Sequence, residues 1–397
     1  MTREEAEALA RADILAPLRA AFDLPAGVCY LDGNSLGAPP RAALARLRDL
    51  SEREWRVGLV RAWNDAGWID LPMRAGARIA RLIGAGPDEV VIADNVSANL
   101  FKLGGALLAA KPGRALAVAA DEFPTDQYVL DGLAGISGAR LVRLAPGEDP
   151  PAGAVFVKSL VHYRTAAVAD MAAEERAAAQ RGTDVIWDLS HATGVIVVDA
   201  AAAGARFAVG CGYKYLNGGP GAPAFIYVSG DEASALRQPL SGWMGSAAPF
   251  DFSSAYEPAP GVRRFASGTP PILSLAALDA ALSLFEGVDL RATEAKARRL
   301  GDIFLAAGTA AGLSPILVEG RRGGHVAFRH SDGFAIVQAL ITRGVIGDFR
   351  APDIMRFGFS PLYLSYTDVW SAGEVLRDVM TSAVWRDPKF AARGAVT

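Results

Sequence analysis

Lysine is rare in this chain. Of its 40 basic residues only six, Lys102, Lys111, Lys158, Lys214, Lys296 and Lys389, are lysines. Cysteine is rarer still. Cys29 and Cys211 lie far apart in no paired spacing, which excludes a disulfide framework and fits a reduced, cytoplasmic protein. The four histidines, His162, His191, His325 and His330, form no His-Glu-x-x-His, and there is no Cys-x-x-Cys, so no metal centre is expected. No apolar run approaches the roughly 20 residues of a membrane span. The N-terminus is acidic and amphipathic, unlike a secretory leader. A net charge of −3 and a pI near 5.9 leave no basic field for nucleic acid. Gly218-Gly219-Pro220-Gly221 is not a Walker motif, and no Gly-x-Gly-x-x-Gly follows a strand, so nucleotide and dinucleotide sites lose support.

What is present is a core. Half of the residues are hydrophobic, and 397 residues suggest two or three domains. Thr2-x-x-Glu5 is a capping box that predicts a helix to about Phe22. An extended piece follows at Val28–Leu31, then turn chemistry in Asp32-Gly33-Asn34-Ser35-Leu36-Gly37, a helix over 41–58 and a loop with two tryptophans, Trp63 and Trp68. From Glu89 apolar runs alternate with helical patterns. The runs are Val90–Ala93, Leu116–Ala119, Leu141–Leu144, Val155–Val157, Val185–Trp187, Ala208–Cys211 and Phe225–Val228. Near-continuously apolar strands separated by helices predict an α/β fold with a mostly parallel sheet covered on both faces. Val195–Val198 reads as helix, and 231–270 as a long functional loop region. The C-terminal part reads as a small α+β domain. The expected division is an N-terminal helical arm (1–60) packing with the small domain, a large domain (61–288) and the small C-terminal domain (289–397).

Lys102, Lys296 and Lys389 sit in helical or tail contexts and read as solvated, whereas Lys214 stands apart, because it follows an apolar strand and precedes a glycine-rich turn. A lysine at the edge of a buried sheet loses hydration and becomes a usable amine nucleophile; on its own it is as well read as a lysine snorkelling at a strand end. Asp188 closes the run Asp-Val-Ile-Trp, where open α/β sheets place ligands. A buried carboxylate needs a cationic partner, and a protonated pyridine nitrogen is one; alone, Asp188 is also a reasonable helix N-cap. His191, three residues on, could stack on a flat cofactor or be purely structural. Asp94-Asn95-Val96-Ser97 joins a strand to a helix, whose free N–H groups and the Ser97 hydroxyl would cradle a phosphate. Together these features read as a pyridoxal phosphate site with Lys214 as the covalently bound amine.

At these residues the chain resembles the kynureninase family of fold-type-I pyridoxal phosphate enzymes, over nearly its whole length. The motifs are Tyr-Leu-Asp-Gly-Asn34-Ser35-Leu-Gly, Phe123-Pro-Thr-Asp126, Ser159-Leu-Val-His-Tyr-Arg-Thr165, Asp188-Leu-Ser-His191-Ala-Thr-Gly, Tyr213-Lys214-Tyr-Leu-Asn-Gly-Gly, Gly242-Trp243-Met-Gly and Arg356-Phe-Gly-Phe-Ser-Pro-Leu-Tyr. The resemblance implies a seven-stranded sheet in the large domain and hydrolysis of L-kynurenine to anthranilate and L-alanine. It implies that Lys214 carries pyridoxal 5′-phosphate, that Asp188 pairs with its ring nitrogen, and that His191 and Phe123 lie against the ring. Val96, Ser97 and Tyr213 would hold the phosphate, with Asp126 and Ser159 completing the shell. Trp243 and Thr269 would reach the site from the partner subunit of a homodimer. Arg356 would bind the substrate carboxylate, and Asn34, Ser35 and Trp63 would line the aryl pocket. Tyr213 would also relay a proton near the γ-carbon. Two rivals are a cysteine desulfurase-like enzyme, which would want a cysteine in a mobile loop, and a non-catalytic assembly domain, which would bind no cofactor.

Trp63 stands where some relatives have histidine and offers no acceptor to a 3-hydroxyl group. Kynurenine is therefore expected to be preferred over 3-hydroxykynurenine, and comparable kcat/KM values for the two substrates would defeat that expectation.

Overall fold

The computed structural model describes residues 1–230 and 232–392. The first strand, β1 (Cys29–Tyr30), belongs to the N-terminal arm. The next seven build one sheet: β2 (Val90–Ile92), β3 (Leu116–Ala119), β4 (Leu141–Leu144), β5 (Val155–Ser159), β6 (Asp184–Asp188), β7 (Phe207–Gly210) and β8 (Phe225–Val228). These are the seven runs read from the sequence. Their order is β2-β8-β7-β6-β5-β3-β4, parallel except for β8, which runs antiparallel to both neighbours.

Alternate residues of each strand enter opposite cores, as the two-residue period of a strand requires. Val91, Val118, Val157, Ile186 and Ile226 pack with Leu100, Leu103, Leu130 and Leu133 of the helices Val96–Ala110 and Pro124–Ser137. Ile92, Ala117, Phe156, Trp187 and Tyr227 face the other way, against Leu71–Leu82 and Ile272–Ala281. Helix Leu71–Leu82 sits directly on the backbone of β2: a Cβ at Gly76 would collide with the Val90 carbonyl. The polar tips of buried aromatics find partners, Trp187 Nε1 donating to Glu175 at 2.7 Å and Tyr227 Oη to the Ala205 carbonyl at 3.0 Å.

The C-terminal part forms an antiparallel sheet from β9 (Ser314–Pro315), β10 (His325–Arg329), β12 (Asp348–Arg350) and β13 (Ile354–Gly358), in the order β12-β13-β10-β9. Between them β11 (Val345–Ile346) pairs in parallel with β1 instead. The stretch 345–349 is thus split between two sheets at Gly347, where a side chain would run into Phe357. The N-terminal arm is fastened along this side. Cys29 and Leu31 donate to Gly344 and Ile346, and Arg19 donates to the Tyr363 carbonyl at 2.6 Å. The arm also reaches the large sheet, Gly37 N donating to the Tyr213 carbonyl at 2.7 Å.

Four sequence readings change. The first helix carries its capping box but ends at Arg11, because Asp13 turns back onto the Leu15 amide and Pro17 opens a separate 3-10 turn. The helix over 41–58 is α-helical only to Asp49 and continues as a wider π-helix over Leu50–Gly58. Val195–Val198 is not helical but a turn leading into irregular chain, buried as core. Lys102 and Lys296 are not solvated: both are buried, Lys102 pairing with Asp94 at 2.7 Å and with the Phe265 carbonyl, and Lys296 with Asp13 at 2.7 Å. No helix among the described residues is long and apolar enough to cross a membrane.

Candidate functional site

The carboxyl ends of β2, β3, β5, β6 and β7 converge on a cavity of about 240 Å³. A parallel sheet leaves its ligand-binding crevice there, because the loops leaving adjacent strands diverge to opposite faces. Lys214 enters this cavity from the loop after β7. Its Nζ stands 5.9 Å from the ring centres of both Phe123 and Tyr213. The loop is held by Gly218 N donating to the Gly212 carbonyl at 2.9 Å and by Asn217 in the left-handed region. Close packing of Gly37 of the N-terminal arm leaves no room for a Cβ beside the Lys214 carbonyl.

Two carboxylates line the opposite wall. Asp188 ends β6, between Ser159 of β5 and Val209 of β7, and its Oδ1 accepts from the Ser190 amide at 2.8 Å. Asp126, in the first turn of helix Pro124–Ser137, is fully buried, and neither of its side-chain oxygens has a hydrogen-bond partner. Burial raises the Asp188 carboxyl, against the pull of Lys214. Burial and the charges of Asp188 and Glu122 raise Asp126 far above the ordinary range. His191 is buried, and desolvation with the nearby Lys214 and His325 holds it neutral; its Nδ1 is also unpartnered. Unpaired buried carboxylates facing one cavity are costly unless a cation completes them.

At the other end Asn95 caps helix Val96–Ala110, accepting from Ala98 N at 3.0 Å, and Val96 and Ser97, whose amides have no intrahelical partner, line the cavity. Ser159 lines the cavity with its hydroxyl given to Glu122 at 2.7 Å. An aromatic, cationic ring nitrogen opposite Asp126 and Asp188, a phosphate at the helix start and a carbonyl at Lys214 all fit the groups present.

A third wall comes from the C-terminal sheet. Arg356 of β13 reaches Tyr163, a cavity residue, donating Nη1 to its carbonyl at 2.6 Å. Its Nε donates to Asp348 at 2.8 Å, and its Nη2 to the same carboxylate and, at 3.3 Å, to Ser35 Oγ. Burial alone would raise the Asp348 carboxyl, but the hydrogen bonds and charge of Arg356 hold it below the usual range. Asn34 is buried against Gly358 with both polar side-chain atoms unpartnered.

The fold therefore brings together Val96, Ser97, Phe123, Asp126, Ser159, Asp188, His191, Tyr213 and Lys214 on one cavity, with Ser35, Asn34 and Arg356 on the adjoining cluster. It does not bring three of the residues read from the sequence into that cavity. Trp63 stacks edge to face on Trp68 at 5.9 Å, Trp243 is exposed beside Phe250, and exposed Thr269 borders a separate pocket. The sequence reading missed Glu122, Tyr163, His325, Asp348 and Arg350. Asp348-Phe-Arg350 carries a legible signal, since charged residues two apart on a strand share one face.

Among known proteins, the family model of the kynureninase C-terminal domain matches residues 294–376. The chain is 47% identical to the kynureninase of Burkholderia mallei (strain SAVP1) and 44% identical to that of Pseudomonas fluorescens, in each case covering all of both chains. Among solved structures it resembles a cysteine desulfurase from Thermococcus onnurineus NA1, with a TM-score of 0.78 at 18% identity over 92% of this chain and 98% of that one. It also resembles an aspartate aminotransferase from Thermus thermophilus, with a TM-score of 0.66 at 17% identity over 87% and 97%. These likenesses show the fold, the fold-type-I architecture expected from the sequence.

A carboxyl raised by folding takes up a proton as the chain folds. Its cost is absent below the unfolded-state range near ~4 and grows as pH rises toward the folded value. Asp126→Asn, in cofactor-free protein, should melt at a higher temperature than the parent, the gap widening as pH rises from about 4. A gap that is constant with pH, or reversed, would show that Asp126 carries no such cost.

Proposed function

Because the chain belongs to the kynureninase family, we propose that it hydrolyses L-kynurenine to anthranilate and L-alanine by cleaving the Cβ–Cγ bond, with pyridoxal 5′-phosphate as cofactor. The observation that carries this reading is the single cavity in which Lys214, Asp126 and Asp188 meet the start of helix Val96–Ala110, in a chain that matches kynureninases from end to end.

Val96, Ser97 and the Tyr213 hydroxyl would hold the phosphate, Phe123 and His191 would cover the ring, and Asp188 with Asp126 would meet its nitrogen. Ser159, fixed by Glu122, closes the shell. When bound, the cofactor withdraws electrons from the substrate's α-carbon, provided its ring nitrogen stays protonated. The two buried carboxylates supply the negative charge that keeps it so. Lys214 Nζ, in its free amine form, would remove the α-proton. Burial, then the neighbouring Cys211, pushes the Tyr213 phenol up, so it remains a proton donor at neutral pH and serves near the γ-carbon. Water adds to the γ-carbonyl, the Cβ–Cγ bond breaks, Cβ takes up the proton that the water gives up, and Lys214 returns the α-proton to Cα to complete L-alanine. Arg356 holds the α-carboxylate, and Asn34, Ser35 and Trp63 border the aryl group.

The working unit is a homodimer in which Trp243 and Thr269 complete the partner's site. Exposed apolar residues support this: Trp55, Val57, Leu59 and Val60 follow one another along the π-helix and its exit, and Trp243, Phe250 and Phe252 lie on the long loop region. The division into an arm (1–60), a large domain (61–288) and a small domain (289–397) is supported by the separate sheets and by the pairing of β1 with β11. Cys29 and Cys211 are both free, which suits the cytoplasm.

Mixing the protein with L-kynurenine should release fluorescent anthranilate and alanine in equal amounts. Lys214→Ala should abolish both turnover and the visible absorbance of the bound cofactor near neutral pH, and a variant that keeps band and turnover would remove Lys214 from its role. Sedimentation should give a dimer, and a monomer with undiminished turnover would count against shared sites.

A further inference from the structure

Arg356 is assigned the substrate carboxylate, yet its donors are already committed. A guanidinium has five N–H groups. Nε and Nη2 hold Asp348, Nη2 also points at Ser35 Oγ at 3.3 Å, and Nη1 holds the Tyr163 carbonyl at 2.6 Å. Arg356 is only 2% exposed and Asp348 is fully buried, so an entering carboxylate finds one spare hydrogen there at most.

Arg350 is more exposed and less fully committed. It lies two residues beyond Asp348 on β12, on the same face, with 37% of its side chain exposed. Its Nη2 sits 2.8 Å from Asp348 Oδ2 and 3.4 Å from Ser35 Oγ, so it turns inward onto the Arg356 cluster. Its Nη1 donates to the Phe349 carbonyl at 3.3 Å, while Nε donates to nothing among the described residues, so two of its five N–H groups stay free. Two guanidiniums therefore share one ionised carboxylate. Asp32 does not complete the balance: its Oδ1 is unpartnered, and burial with the charge of Asp348 pushes its carboxyl up to about 7. The cluster retains an excess of positive charge. Desolvation and the repulsion of Arg356 lower Arg350, and its field, with those of Lys214 and Arg356, reaches His191 in the cavity.

We propose that Arg350 is a second substrate-binding guanidinium: Asp348 and Ser35 are held by Arg356, and Arg350 offers the free N–H donors that the α-carboxylate of the amino-acid substrate meets. This rests on the kynurenine reading above. Asp348 is then a positioning residue, occupying the Nε edge of Arg356 and keeping the two cations side by side. The substrate carboxylate supplies the second negative charge of a four-charge cluster.

The test uses the holoenzyme and Arg350→Gln, at a partly exposed position where folding should survive. Loss of a charge-assisted hydrogen bond should raise KM for L-kynurenine about tenfold, with kcat within about twofold and the visible band of the cofactor unchanged. Competitive inhibition by the kynurenine analogue that lacks the α-amine but keeps the carboxylate should weaken to the same degree. Inhibition by the analogue that lacks the carboxylate should not change. Arg350→Lys should recover part of the loss, as a point charge without the fork. An unchanged KM, or equal weakening of both analogues, would overturn the role of Arg350. A wild-type enzyme that releases no anthranilate from L-kynurenine would overturn the kynurenine reading, and this inference with it.

Discussion

Two buried carboxyls, one at the end of β6 and one in the first turn of the helix after β3, are the constraint on which the site depends, because burial denies them the charge they would carry in water. Asp126 and Asp188 are both buried in the reach of one lysine, and among the described residues no arginine pairs with them. A fold retains such a pair only if something bound there returns the lost solvation energy. The sheet order follows the same logic. By placing five carboxyl ends around one cavity it lets a lysine, two acids, an aromatic face and a helix start act on a single small molecule, although they are far apart in sequence.

The central sheet was legible because its strands are buried on both faces. That burial demands unbroken apolar runs such as Val-Val-Ile and Phe-Ile-Tyr-Val, which no surface helix would carry. Lys214 and Asp188 were legible because each is a charge placed at the end of such a run. The phosphate end was harder to read, since every strand-to-helix joint in an α/β fold offers free amides. The flanking motifs, more than any single residue, separated this joint from the others.

What the sequence concealed lies where distant segments meet. Lys102 and Lys296 look like ordinary helical lysines, and only the folded chain shows Asp94 and Asp13 waiting for them. Asp348 faces Arg356 across a strand pair whose register no local pattern reveals. Val195–Val198 is β-branched and apolar because it is buried, not because it is regular, so propensity misreads it. Glu122 stayed hidden for a similar reason: its value is in holding the Ser159 amide and hydroxyl, 37 positions away.

The parallel pairing of β1 with β11 orders events in time as well as in space. Arg19 and the Tyr363 carbonyl it grips are 344 positions apart. At a synthesis rate of about 5–20 residues per second, the arm emerges on the order of 20–70 s before its docking surface exists. During that interval the large sheet can close on contacts much nearer in sequence, while Gly37 cannot be held beside the Lys214 loop by a finished C-terminal half. Strands made later in the chain thus lock a segment made earlier.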